Sequence, residues 1–354
     1  MKMNAQRLRG YISAFLLIIS VWGCTTDKSP LQAQHPDVSP QTPLDPFVQN
    51  ALLAKGVNLG NALEAPNEGE WGVVLEEGYF QLIKEAGFTA VRIPVRWSAH
   101  ASTRAPYRID SAFLQRVDWA VGQALERGLA VVLNIHHYEE MMTEPAKHKE
   151  RFLALWKQIA EHFQQAPPEL FFELLNEPNG NLTPDLWNSI LAEAVSVVRA
   201  SNPYRILIVG PGNWNAIDAL QALRLPEEDH GIIVTVHYYN PFQFTHQGAE
   251  WVQGSQAWLG TTWTGTPQQR SAIELDFTRA KLWADQQNRP LFVGEFGAYS
   301  KADMTSRALW TGFVARTAER NGVSWCYWEF CAGFGVYDRT SHDWVYPLLR
   351  ALIP

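Results

Sequence analysis

The chain has 354 residues, 46% of them hydrophobic, which is enough to fill one large core. A formal net charge of −7 argues against a nucleic-acid partner. The 15 tryptophans suit stacking on flat apolar faces as well as core packing, so the chain fits a neutral ligand better than a polyanion.

Lys2, Arg7 and Arg9 precede an apolar run over residues 11–22 that is short for a membrane span and reads as part of an export signal. Val21-Trp22-Gly23-Cys24 has the form of a bacterial lipoprotein cleavage box, with Cys24 as the acylated first residue. Trp22 is large for such a box, so ordinary secretion and an uncleaved anchor are the alternatives. Cleavage before Cys24 removes Lys2, Arg7 and Arg9 and no acid, taking the charge from −7 to −10. Residues 24–44 are rich in Pro, Gln, Ser and Thr and read as a disordered tether. The expected organisation is a signal peptide over 1–23, a tether over 24–44 and one catalytic domain over 45–354. The protein is expected to be exported and monomeric, with membrane contact only through the lipid anchor.

From residue 45 onward strands and helices alternate. Strands are predicted over 56–61, 90–94, 130–136, 170–175, 205–209, 232–237, 291–295 and 324–330. Helices are predicted over 79–86, 111–127, 147–163, 185–200, 216–223, 273–287 and 305–320, with a short closing helix from Tyr346. Gly87 and Gly128 mark helix ends, and Pro184 suits a first turn. Eight strands, apolar on both faces and alternating with helices, define a single-domain α/β fold, a (β/α)8 TIM barrel. An open doubly wound sheet is the rival, but no glycine-rich phosphate loop follows the first strand.

Two buried runs stop in a glutamate: Leu170-Phe-Phe-Glu-Leu-Leu-Asn176-Glu177-Pro178 and Pro290-Leu-Phe-Val-Gly-Glu295-Phe-Gly297. Strands four and seven face each other across a barrel mouth, so Glu177 and Glu295 form a facing carboxyl pair, the equipment for cleaving a glycosidic bond. Asn61, Arg92, His136, His237 and Trp328 stand at further strand ends. Arg92 lies between apolar neighbours and needs a carboxylate, for which Glu295 is the obvious partner, and Tyr239 can donate to the same group. Such a pair keeps Glu295 ionised, while Glu177, near that charge, holds its proton. Cys326 and Cys331 read as two separate small hydrophobes, although export leaves a disulfide chemically open.

Leu175-Asn176-Glu177-Pro178, Gly294-Glu295-Phe296-Gly297, Val91-Arg92-Ile93-Pro94, Asn134-Ile135-His136-His137-Tyr138 and His237-Tyr238-Tyr239 together resemble glycoside hydrolase family 5. Residues 60–69 and 238–251 are similar to its thermophilic bacterial endoglucanases that also cut mannan. The resemblance covers residues 45–354 and implies a retaining endo-β-1,4-glycosidase acting on polysaccharide. Glu177 matches the general acid/base, Glu295 the nucleophile and Asn176 the residue bonded to a sugar 2-hydroxyl. It implies that His136, His137 and His237 hold sugar hydroxyls and orient the glutamates, so neither metal nor cofactor is expected. Trp328 matches a sugar-stacking platform, with Trp214 and Trp251 as further cleft candidates, and Asn61 and Glu64 match sugar-binding positions. Asn179 stands where the nearest relatives carry His. The rivals are a barrel that binds carbohydrate without cleaving it and a metal-dependent amidohydrolase; the His-x-His of the latter is absent from the first strand.

Overall fold

Eight parallel strands close on themselves in sequence order: β1 Lys55–Asn58, β2 Ala90–Ile93, β3 Ala130–Asn134, β4 Leu170–Glu173, β5 Leu207–Val209, β6 Ile232–Tyr238, β7 Leu291–Phe296 and β8 Ser324–Tyr327. The structure, a computed structural model, describes residues 40–354. The expected signal segment, Cys24 and the tether up to residue 39 lie outside the described residues. Among those described, no helix is long and apolar enough to cross a membrane.

The outer ring comprises α2 Glu77–Glu85, α3 Ser111–Glu126, α5 Pro145–His162, α6 Pro184–Arg199, α8 Pro267–Gln287 and α9 Met304–Arg320. Local chemistry sets their starts. The Asp110 side chain caps α3 by accepting from Phe113 N at 2.9 Å, and Thr266 and Gln269 form a capping box on α8. Asp303 caps α9 through Ser306 N at 2.8 Å. Shorter helices are α1 Pro46–Leu53, α4 Glu139–Thr143, α7 Phe242–Thr245 and α10 Tyr346–Leu352. The expected helix over 216–223 is a 3-10 segment, Ile217–Ala222. Apolar side chains between strands and helices form the larger core, and a second cluster fills the barrel floor.

Most strands are shorter than the sequence suggests. The first, third, fourth and eighth stop at Asn58, Asn134, Glu173 and Tyr327. Apolar residues continue past these points, but their backbone leaves the ladder to shape the mouth. Asn61, His136, Glu177 and Trp328 therefore sit on the segments after their strands, a correction to strand-end placement.

The unpredicted α1 closes the opposite end. Asn50 Nδ2 donates to Leu291 O at 3.0 Å, and Ser324 Oγ donates to Asn50 Oδ1 at 2.6 Å, so one amide joins the starts of β7 and β8. Leu53 enters the floor cluster with Phe171, Ile208 and Phe292, and Leu44 packs against it. The folded unit thus includes Leu44, one residue before the expected boundary. Cys326 and Cys331 are both free and buried.

Gly56 packs against β8 with no space for a side chain, because a Cβ there would fall 2.1 Å from Cys326 Sγ. Gly56→Ala is expected to cost about 1–3 kcal/mol in denaturant unfolding, with much of the loss recovered in the Gly56→Ala/Cys326→Ala double variant. Purely additive losses would show that the clash lies elsewhere.

Candidate active site

Arg92 on β2 is fully buried, and its guanidinium reaches four side chains. Nε and Nη2 donate to Glu173 Oε2 and Oε1 at 2.6 and 2.8 Å, a bidentate pair. Nη1 donates to Asn58 Oδ1 at 2.8 Å and to Glu295 Oε1 at 2.7 Å, and Nη2 also donates to Asn176 Oδ1 at 2.7 Å. The expected partner, Glu295, is present, but it shares the cation with Glu173, which sequence reasoning passed over.

Glu295 is placed by an irregularity. Val236 pairs with Val293, but His237 pairs with Glu295, so Gly294 is an extra residue on β7. Such a bulge re-aims the side chains after it and here sets His237 beside Glu295. Tyr239 Oη donates to Glu295 Oε2 at 2.9 Å, as expected. Burial, with Glu295 and Glu177 adding, raises the Tyr239 phenol, which keeps it a donor.

Glu177 follows β4 with φ +46°, a left-handed conformation uncommon outside glycine. Its Oε1 lies 2.7 Å from His237 Nδ1, and His237 Nδ1 lies 3.6 Å from Glu295 Oε2. Glu177, His237 and Glu295 each bring one polar atom within 4.8 Å of the others. That closeness would suit a cation, but the His237–Glu177 hydrogen bond and the Arg92 charge on Glu295 already account for it.

Burial pushes both carboxyl groups up. Glu177 reaches about 7, with burial the main cause, Arg92 opposing and Glu173 adding. For Glu295, burial is opposed by His237, Arg92 and the Arg92 hydrogen bond, while Glu177 adds to the rise. Glu173 adds to the rise of Glu177 beside the neighbouring Glu295. One expectation is corrected: Arg92 does not by itself hold Glu295 in the ordinary range, because Glu173 shares the guanidinium and burial outweighs it.

His136 is buried, with Nδ1 3.1 Å from Asn134 Nδ2 and Nε2 3.8 Å from Glu295 Oε1, and its ring stacks on Trp328 at 5.5 Å. His137 sits nearer solvent, edge-on to the exposed Trp71 at 5.4 Å. Trp214 and Trp251 are 54% and 61% exposed, as stacking platforms would be, and Trp328 is half-buried. Asn61, at φ +63°, is half-buried. Glu64 is only 1% exposed; its carboxylate accepts from the Asn61 and Ala62 backbone N–H groups, the latter at 3.0 Å. As placed, it also shapes the loop that presents Asn61. Burial raises Glu64 to about 8.

Sequence reasoning missed Glu173, Asn58, Asn134 and Asn215. All four are fully buried, and for Glu173, Asn58 and Asn134 the polar interruption of an apolar strand was the available signal.

A closed barrel with two adjacent carboxyl groups at its mouth, tied to one buried arginine, defines a two-carboxylate glycoside hydrolase. Residues 54–333 match the cellulase family, glycosyl hydrolase family 5, and the chain belongs to that family. Endoglucanase H of Acetivibrio thermocellus is 36% identical over 323 residues, which cover 90% of this chain and 34% of that protein. The chain thus spans about a third of that relative's length. Two structures of Cel5A from Thermotoga maritima, one with mannotriose and one with cellobiose, are each 54% identical with a TM-score of 0.86, covering 87% of this chain and 100% of theirs.

Glu173→Gln removes the negative charge that raises Glu177, so the Glu177 pKa should fall from about 7 and the alkaline limb of kcat/KM should move to lower pH. The same change leaves Arg92 short of countercharge and should cost about 3 kcal/mol of stability. An unmoved alkaline limb in folded enzyme would count against this coupling.

Proposed function

We propose that the protein is a retaining endo-β-1,4-glycosidase that cuts internal links of cellulose-type β-glucan and glucomannan, and of mannan. The observation that carries this reading is the adjacent carboxyl pair, an oxygen of each lying within 4.8 Å of the other, which fits the close spacing of a retaining pair. Glu295 attacks the anomeric carbon as Glu177 gives its proton to the departing oxygen. The glycosyl–Glu295 ester then breaks as water bonds to the same carbon and returns a proton to Glu177. Both Glu295 oxygens already meet donors, Arg92 and Tyr239, which favour its ionised form over that of Glu177.

Asn176, His136 and His137 hold sugar hydroxyls, and Asn61 does so from the loop set by Glu64. Trp328, Trp214 and Trp251 stack on sugar faces. The Cel5A complexes with cellobiose and mannotriose support the double substrate range. A barrel that only binds carbohydrate would have no use for the complete Arg92–Glu295–Tyr239 arrangement. We infer that the enzyme is exported, monomeric and held at the envelope through Cys24. Labelled palmitate should enter the unmutated protein and not Cys24→Ser; labelling of neither would overturn the anchor.

The role split is tested with azide and an aryl glycoside whose leaving group needs little protonation. Glu177→Ala should form the glycosyl-enzyme and yield the β-glycosyl azide, and Glu295→Ala the α-azide by direct attack. The reverse pairing would exchange the two roles. Turnover of soluble β-glucan, glucomannan and galactomannan side by side gives the substrate range.

A further inference from the structure

The turn after β5 carries a feature that the chemistry above does not use. Asn213, Trp214 and Asn215 have φ of +56°, +58° and +54°, three consecutive non-glycine residues in the left-handed region. A single such residue is uncommon, and a run of three persists only where the surroundings hold it. Trp214 N donates to Pro178 O at 3.1 Å, which ties the turn to the residue after Glu177. The result exposes Trp214 at the cleft and turns Asn215 inward, where it is fully buried.

Asn215 Nδ2 lies 3.3 Å from His237 Nε2, and Asn215 Oδ1 has no partner among the described residues. Two glycines make the space. A Cβ at Gly210 would fall 2.0 Å from Asn215 Oδ1, and one at Gly294 would fall 3.0 Å from His237 Nε2. The charged and titratable groups facing the ring are Glu177, Glu295, Arg92, Glu173 and His136. Burial lowers His237 to about 4, with Arg92 lowering and Glu295 and Glu173 opposing, so the ring carries one proton at neutral pH.

We propose that Asn215 is a positioning residue for the acid/base carboxyl: its amide occupies His237 Nε2, fixes the ring proton on Nδ1 and so supplies Glu177 with a hydrogen-bond donor. This rests on the assignment of Glu177 as acid/base. A donor on Nδ1, 2.7 Å from Glu177 Oε1, favours the carboxylate, the form that must accept a proton from water in the second half-reaction. Without Asn215 the ring can carry its proton on Nε2 and present a bare Nδ1, which favours protonated Glu177.

Asn215→Ala should therefore move the alkaline limb to higher pH. On an aryl β-cellobioside with a good leaving group, kcat, limited by release of the glycosyl-enzyme, should fall about tenfold while kcat/KM changes little. Equal losses in kcat and kcat/KM with unmoved limbs would make Asn215 merely structural and overturn the proposal. Nitrogen-15 spectra of the unmutated enzyme read the tautomer even if the variant does not fold. Protonated Nδ1 with bare Nε2 is expected, and the reverse overturns the proposal. Azide products from Glu177→Ala keep the two readings apart: the β-azide with the wrong tautomer refutes only the role of Asn215, and its absence refutes the acid/base assignment.

Discussion

A single guanidinium in a dry barrel is the constraint on which the site depends. Arg92 is fully buried, and an unpaired cation there would cost several kcal/mol. It is neutralised by Glu173 from within β4 and by Glu295 from β7, and it bonds to Asn58 from β1 and Asn176 from the segment after β4. The need to satisfy one charge therefore ties β1, β2, β4 and β7 and the segment after β4 to one another. Asn58 extends the link, since its Nδ2 donates to Gly294 O at 2.9 Å, at the bulge beside Glu295. The shared ion pair sets the position of the Glu295 carboxylate and opposes the rise that burial imposes on it.

Much of this was legible because barrel architecture and site chemistry leave marks in the same places. Continuous apolar runs separated by capped helices identified the eight strands, and a glutamate ending an apolar run identified Glu177 and Glu295. Three things were not legible. Strand ends were overcalled because apolarity persists after backbone pairing stops, as in Leu174, Leu175 and Ile135, all buried beyond their strands. Glu173 looked like an interruption because pairing across the barrel has no local signature. Asn215 was missed because its place comes from which side of a loop faces inward, which follows from φ values that no residue pattern dictates.

Backbone strain is concentrated where the chain meets the cleft. Asn61, Glu177, Asn213, Trp214 and Asn215 all have positive φ without being glycine. Elsewhere such conformations mostly belong to glycines at helix ends and turns, such as Gly87, Gly128 and Gly322. Glycine would relieve the cost at the mouth, but it has no side chain to bind or react. Rigid packing below, with Trp156 Nε1 bonded to Leu174 O and Trp187 Nε1 bonded to Gly210 O, each near 2.8–2.9 Å, holds the strained segments in place.

The helix that seals the barrel floor also gives the molecule a polarity. Leu44 and α1 bring the chain in at the N-terminal ends of the strands, while the carboxyl pair opens at their C-terminal ends. Whatever restrains the protein through residues before Leu44 holds it by its base, and the cleft points the other way. A polysaccharide reaching the barrel mouth meets the carboxyl pair on the face opposite α1. Any attachment from that side would act as a leash that limits range without shading the blade.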